Sequence, residues 1–238
     1  SELKFLKILA IDSSAKTASV AVTEGGRLIS ECFVNAALTH SRTLMPMVDN
    51  ALTQADMSFA DIDALSVNVG PGSFTGIRIG VAAVKGLALS GDKPCAGVST
   101  LLSAAYNFAD DDCLVCVAMD ARCNQVYTAL FECSGGKVAR ICEDKAVPIA
   151  ELEADLACYD KKIYLAGDGA ELCFAAFGGK LPAVHLAAEN RRYQRAYGVA
   201  AAAEDNKELF RPASELVPVY LRPPQAEREL KLRKGVNI

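Results

Sequence analysis

Histidine is scarce in this chain: His40 and His185 are the only two, and neither has a second histidine at helical or loop ligand spacing. A closed metal site built on imidazole is therefore not expected. Apolar runs of about 18 uninterrupted residues, the length that crosses a bilayer, are also missing. Ser1 to Lys7 alternate charged and apolar residues without the apolar centre of a secretory signal, so a soluble, cytoplasmic protein with no membrane partner is expected. Positive charge is in deficit, with a formal net charge of -4 and a pI near 5.3. That balance argues against a surface that grips a phosphate backbone throughout. Basic residues gather only at the end, where Arg222, Arg228, Lys231, Arg233 and Lys234 outnumber Glu227 and Glu229. A solvated tail is the simplest reading of them. There is no Gly-x-Ser-x-Gly elbow, no Gly-x-Gly-x-x-Gly fingerprint and no Walker lysine.

Cysteine, by contrast, is present nine times, from Cys32 to Cys173, scattered through apolar segments. An odd number without a secretory signal makes a disulfide framework unexpected, and these residues read as small buried hydrophobes. Cys113-Leu-Val-Cys116 is the one pair with metal-like spacing, and no second pair follows it. With 51% hydrophobic residues in 238, the chain can fill a real core.

Two stretches look alike. Leu9-Ala-Ile-Asp12 leads into the run Ala18 to Val22, a Gly25-Gly26 turn and Arg27-Leu28-Ile29. Val117-Ala-Met-Asp120 leads into Val126 to Leu130, Gly135-Gly136 and Lys137-Val138. Short β-rich runs joined by Gly-Gly turns are hairpin signals, and their recurrence about a hundred residues later points to a duplicated α/β unit. The expected units are residues 1–102 and a reduced second copy, 103–215, with 216–238 a tail free to fold back on the first.

Between the strands, Thr39 or Ser41 can cap a helix through Met57, with Leu44, Val48, Ala51, Leu52 and Ala55 on one stripe. Ile62 to Val69 reads as a strand, Ser73 to Leu89 as a helix ended by Gly91 and Pro94, and Cys95 to Val98 as a short strand. The stretch Gly70-Pro-Gly-Ser-Phe-Thr-Gly-Ile-Arg-Ile-Gly80 forces a tight turn and sets a Ser73 or Thr75 hydroxyl at a helix N-terminus. Physics alone leaves two readings of it, an anion site on free amides and a structural strand-to-helix connection. Gly76, Gly80 and Gly86 inside that helix each cost about 1 kcal/mol relative to alanine. Close packing within the domain or against another subunit's helix would offset that cost.

Asp12 and Asp120 each stand where a strand gives way to a turn, a place from which a carboxylate can hold hydrated Mg²⁺ or the turn's own amides. Gly167-Asp168-Gly169, after the run Ile163 to Ala166, resembles a third turn of the same cleft.

Taken together, Ile8 to Ser14, the Gly70 to Gly80 block, Gly97-Val-Ser-Thr100, Met119-Asp-Ala-Arg122 with Val126-Tyr127, and Pro218-Val-Tyr-Leu-Arg222 resemble the TsaB (YeaZ) family over about residues 7–222. The resemblance implies the actin-like ATPase fold, made of two duplicated α/β domains. It also implies the role of a non-catalytic partner in forming threonylcarbamoyl-adenosine next to the tRNA anticodon. Implied partners are a catalytic paralogue of the TsaD type, a small ATPase of the TsaE type and a second copy of the chain as a homodimer, with tRNA met indirectly. The related catalytic subunit, historically labelled a glycoprotease, carries a metal-binding histidine pair where this chain has Ser99, Thr100, Leu101 and Leu102. No catalytic or metal-binding residue and no required cofactor are therefore expected. Weak ATP or ADP binding is allowed at a vestigial site of Asp12, Ser13, Ser73, Asp120, Gly167 and Gly169. The alternative is an independent ATP-dependent kinase-like enzyme or a glycoprotease-type peptidase. A kinase of this fold wants glycine after each aspartate, where Ser13-Ser14 and Ala121-Arg122 stand here. The implied partner surface uses the first two helices, offering Leu44, Met47, Val48, Leu52, Gly76, Gly80, Val81 and Val84 as one face from which some must point outward; the alternative is that these same residues face their own sheet. On the outward reading Val48→Glu or Val81→Glu abolishes association and spares the fold.

Overall fold

A computed structural model describes residues 5–36 and 40–222. Thr39 and the basic residues beyond Arg222 lie outside them. The chain opens with β1 (Lys7–Asp12), β2 (Ala18–Glu24) and β3 (Arg27–Val34), then α1 (His40–Gln54), β4 (Ala64–Gly70), α2 (Phe74–Leu89), β5 (Cys95–Ser99) and α3 (Thr100–Ala105). The second half runs β6 (Cys113–Asp120), β7 (Gln125–Ser134), β8 (Lys137–Arg140), β9 (Lys145–Pro148), α4 (Ile149–Leu156), β10 (Ile163–Ala166), α5 (Ala170–Cys173) and β11 (Val184–Leu186). It closes with α6 (Glu189–Arg192), α7 (Ala196–Asp205) and β12 (Phe210–Arg211).

Two sheets result, ordered β12-β5-β4-β1-β2-β3 and β11-β10-β6-β7-β8, with β9 also on β7. In each, the first strand is central, an antiparallel hairpin lies on one side, and parallel strands reached through helices lie on the other. This is the duplicated arrangement of the actin-like ATPase fold. Gly25-Gly26 and Gly135-Gly136 turn the two hairpins with positive φ, as the twist of the flanking strands requires.

Strand alternation decides the layers. Leu9 and Ile11 of β1 face α1 and α2, while Ile8 and Ala10 face α7. On that second face Ala10, Ala21, Ala64 and Ala96 leave room for an alanine-rich helix, and Ala196, Val199, Ala200 and Ala203 fill it. In the second unit Leu101, Ala104 and Phe108 cover one side of β6 and β7, and Leu152, Leu156, Cys173 and Phe177 cover the other. The layers thus run α1/α2, first sheet, α7 with α3, second sheet, α4/α5.

Three expectations are corrected. First, the return to the first unit begins at α7 and β12, not at residue 216; β12 pairs with β5. Second, the partner-facing set Leu44, Met47, Val48, Leu52, Gly76, Gly80, Val81 and Val84 is buried inside the chain, in the core beneath α1 and α2. Both helices turn their apolar stripe to their own sheet, because burying it there removes it from water without a partner. The outward residues are Arg42, Met45, Asp49 and Thr53 on α1 and Arg78, Ala82, Gly86 and Leu89 on α2. Third, Cys123 and Cys158 are exposed and Cys32 and Cys142 half-buried; all nine thiols are free. Cys113 and Cys116 face opposite sides of β6 and cannot share a ligand. Burial pushes the Cys116 thiol up to about 12, which makes it inert. No helix among the described residues is long and apolar enough to cross a membrane.

Candidate functional site

The carboxyl ends of β1, β4, β6 and β10 converge on one cavity of about 430 Å³ between the two units. Its wall is made by Ser14 to Lys16 after β1, Pro71 to Phe74 at the start of α2, Met119 to Arg122 after β6, Asp168 after β10, Tyr127, and the segment Val219 to Arg222.

The first turn is closed upon itself. Asp12 Oδ1 accepts from Ser14 N at 3.1 Å, from Ser14 Oγ at 2.6 Å and from Asn68 Nδ2 at 2.8 Å. The residue is 0% exposed, and burial holds its carboxyl above the usual carboxylate range against the pull of those hydrogen bonds. Ser13 Oγ donates to Gly76 O at 2.8 Å, and Ser73 N donates to Ser14 O at 2.7 Å. The N-terminus of α2, capped by Ser73 Oγ on Gly76 N, is thus zipped onto the β1 turn. Gly72, Gly76 and Gly80 exist for this approach. A Cβ on Gly72 would enter the Ser14 carbonyl, one on Gly76 the Ser13 carbonyl, and one on Gly80 would lie 2.5 Å from Ser13 Oγ. The cost of glycine at 76 and 80 is offset inside the chain, whereas a Cβ on Gly86 meets nothing within 4 Å.

The second turn repeats the device more openly. Asp120 Oδ1 accepts from Arg122 N at 2.7 Å and Oδ2 from Arg122 Nη1 at 3.1 Å. Both aspartates hold turn amides, the second of the two readings their position allowed. Gly167, at φ +93°, and Gly169 press against the Ala118 backbone, with Gly169 N on Ala118 O at 2.9 Å. Asp168 Oδ1 accepts from Asp120 N at 3.2 Å. Burial, with the nearby Asp120 charge, lifts Asp168 to about 6.

Of the six candidate nucleotide-site residues, Ser73 and Asp120 line the cavity; Asp12, Ser13, Gly167 and Gly169 lie behind its wall and shape it. The sequence reading missed Lys16, Phe74, Arg122, Tyr127 and the closing segment as wall residues. The Pro-x-Tyr-x-Arg element was visible but carried no role, because nothing local to it says where it lands. Lys16, Arg122 and Arg222 share the lining with Asp120 and Asp168; Arg122 is paired with Asp120, and the remaining two cations against one carboxylate leave a small positive excess that suits an anion.

The raised Asp168 group contributes stability that is fully present below 3.8 and is lost as pH rises through about 6. Asp168→Asn keeps the acceptor without the charge. Relative to it, the wild type is expected to lose about 1 kcal/mol between about pH 5 and about pH 7.5 in urea unfolding. A constant gap across that range would mean that Asp168 ionises in the fold as freely as in solution.

The chain matches the family model described as TsaD: tRNA N6-adenosine threonylcarbamoyltransferase over residues 34–227. It is 35% identical over 167 residues to the tRNA threonylcarbamoyladenosine biosynthesis protein TsaB of Bacillus subtilis, covering 70% of this chain and 73% of that one. It is 39% identical over 129 residues to the Escherichia coli protein of the same name, covering 53% of this chain and 55% of that one, about half of the relative's length. In three dimensions it resembles YeaZ from Pseudomonas aeruginosa, with a TM-score of 0.78 and 27% identity over 91% of this chain and 100% of that one.

Proposed function

The chain belongs to the TsaB (YeaZ) family of tRNA threonylcarbamoyladenosine biosynthesis proteins, and from that premise we propose that it is the non-catalytic partner of the threonylcarbamoyl-transferring subunit. One observation carries this reading. The turn that faces a phosphate in a kinase of this fold is here zipped onto the chain itself through Asp12 Oδ1, Ser13, Ser14 and Ser73, and the second Asp12 oxygen is buried without a hydrogen-bond partner. Support comes also from the segment after β5: Ser99 Oγ caps α3 on Leu102 N at 3.3 Å and donates to Asp144 at 2.5 Å. It supplies a helix start where the catalytic relative supplies histidines. Among the described residues no group of three or more His, Cys, Asp or Glu side chains converges as a ligand set.

In this proposal the chain meets a TsaD-type paralogue, then a TsaE-type ATPase, and reaches tRNA through them; alone it pairs with itself. The cavity keeps at most weak affinity for ATP or ADP, with Ser73, Lys16 and Arg122 as the groups nearest a phosphate. The surface offered is the outward side of α1 and α2, where Gly86 has no neighbour to justify it and Met45 and Leu89 are exposed. Small and apolar residues there allow a second pair of helices to come close.

Mixing the chain with the catalytic subunit of the same organism and following light scattering and tRNA modification tests the proposal. Ala82→Glu is expected to weaken association at least about tenfold, with loss of modification and an unchanged circular dichroism spectrum. Full association by Ala82→Glu, or modification by the catalytic subunit without this chain, would remove the reading.

A further inference from the structure

After Leu216, which is buried in the first unit's core, the chain runs on so that residues 219–222 form part of the wall of the inter-unit cavity. Its pins are unequal. On the first unit Val219 N donates to Val69 O at 2.8 Å, at the end of β4. The Tyr220 ring stacks on Phe74 at 4.9 Å, and its hydroxyl accepts from Arg78 Nε at 2.9 Å. The Arg78 guanidinium lies 4.0 Å over the Phe74 ring and 5.9 Å from the Tyr220 ring, so the three side chains touch one another as a cluster at the start of α2. On the second unit the described hold is one half-exposed hydrogen bond, Arg222 Nη1 to Ala121 O at 3.0 Å.

The first unit is shaped for this passage. Gly70 has φ +130°, and a Cβ there would enter the Val219 carbonyl, so the first glycine of the Gly-Pro-Gly turn is set by the strap that lies on it. The two chain crossings between the units are clasped elsewhere: Arg191 donates to Asn107 O at 3.1 and 2.9 Å, and Asn107 Nδ2 donates to Tyr193 O at 2.8 Å. None of these residues lines the cavity. Residues 219–222 of the strap do line it.

We propose that residues 217–222 form a movable wall, or gate, anchored on Phe74 and Arg78 and caught on Ala121 by Arg222, whose release widens the cavity for an anion of the polyphosphate class. Among the described residues the Arg222 hydrogen bond is the weaker pin and breaks first, while the aromatic stack keeps the strap attached. Release also frees a guanidinium beside Lys16 and Arg122, so an entering polyanion stabilises the open state it needs. The identity of the ligand rests on the weak nucleotide affinity proposed above; the gate rests on the strap's contacts.

The test uses the full chain with Arg222→Ala, which removes the catch, Val219→Pro, which removes the amide held by Val69, and Arg222→Lys, which keeps a donor. Hydrogen exchange at residues 69–73 and 121–123 is expected to quicken at least about fivefold in the first two variants and to return toward wild type in the third, with β1 and β6 unchanged. Unchanged exchange in both loops, or quickening spread evenly through the chain, overturns the gate. A fluorescent ATP analogue and inorganic tripolyphosphate are then titrated into each protein. Tighter binding of either to Val219→Pro, which opens the strap and keeps the Arg222 guanidinium, supports gate and ligand together. Faster loop exchange without gain for either probe leaves the gate in place and removes the nucleotide reading.

Discussion

Gly76→Ala is expected to destabilise the chain by about 2–4 kcal/mol, and Gly86→Ala, ten residues along the same helix, to stabilise it by about 1 kcal/mol. Helix propensity favours alanine equally at both positions, so the difference isolates what surrounds them. At Gly76 the added methyl would enter the Ser13 carbonyl and stand 3.3 Å from Ser73 Cβ. Relief requires α2 to move away from the β1 turn. That movement stretches Ser73 N to Ser14 O and the buried bond from Ser13 Oγ to Gly76 O. The displaced turn also carries Asp12, whose buried carboxyl depends on Ser14 and Asn68 for its hydrogen bonds. At Gly86 the methyl meets nothing. Urea unfolding of the two variants checks the pair, and a neutral or stabilising Gly76→Ala would show that the zipped turn does not hold that glycine in place.

The same pair shows what a sequence carries and what it withholds. Duplication was legible because hairpins and aspartate turns are local patterns, and the two sheets repeat one strand order. The orientation of α2 was not. Ile77, Val81 and Val84 face the sheet, but Ile79, Ala83 and Leu87 are also apolar and partly buried, and a helix apolar on most sides gives no period to orient it. Gly76, Gly80 and Gly86 look equivalent in one dimension; only the turn that arrives from residues 13 and 14 separates them. The return of α7 was equally silent. Its alanines match the small face of the first sheet, but complementarity of small residues across about 180 positions of chain leaves no local signal. Of the candidate site, the strand ends were legible and the strap's landing place was not, since its pins join residues far apart in sequence.

Val48→Glu and Val81→Glu are expected to unfold the first unit instead of merely blocking association. Val48 is 1% and Val81 5% exposed, and both are packed in the core that includes Leu9, Ile11, Val20 and Val67. A glutamate there has no cation among these neighbours to pair with. It must either bury a charge, which is prohibitive, or take up a proton and bury an unsatisfied acid, at about 2–7 kcal/mol with lost packing in addition. Against a typical total stability of about 5–15 kcal/mol, either variant removes most of the margin. Met45→Glu on the same α1, at a position 39% exposed, supplies the control: it adds the same charge to the same helix and is expected to leave stability within about 0.5 kcal/mol of wild type. Circular dichroism with thermal melting separates the cases. A Val48→Glu protein that melts like the wild type yet fails to bind its partner would mean that α1 presents its apolar stripe outward in solution, and the burial described for it would be wrong.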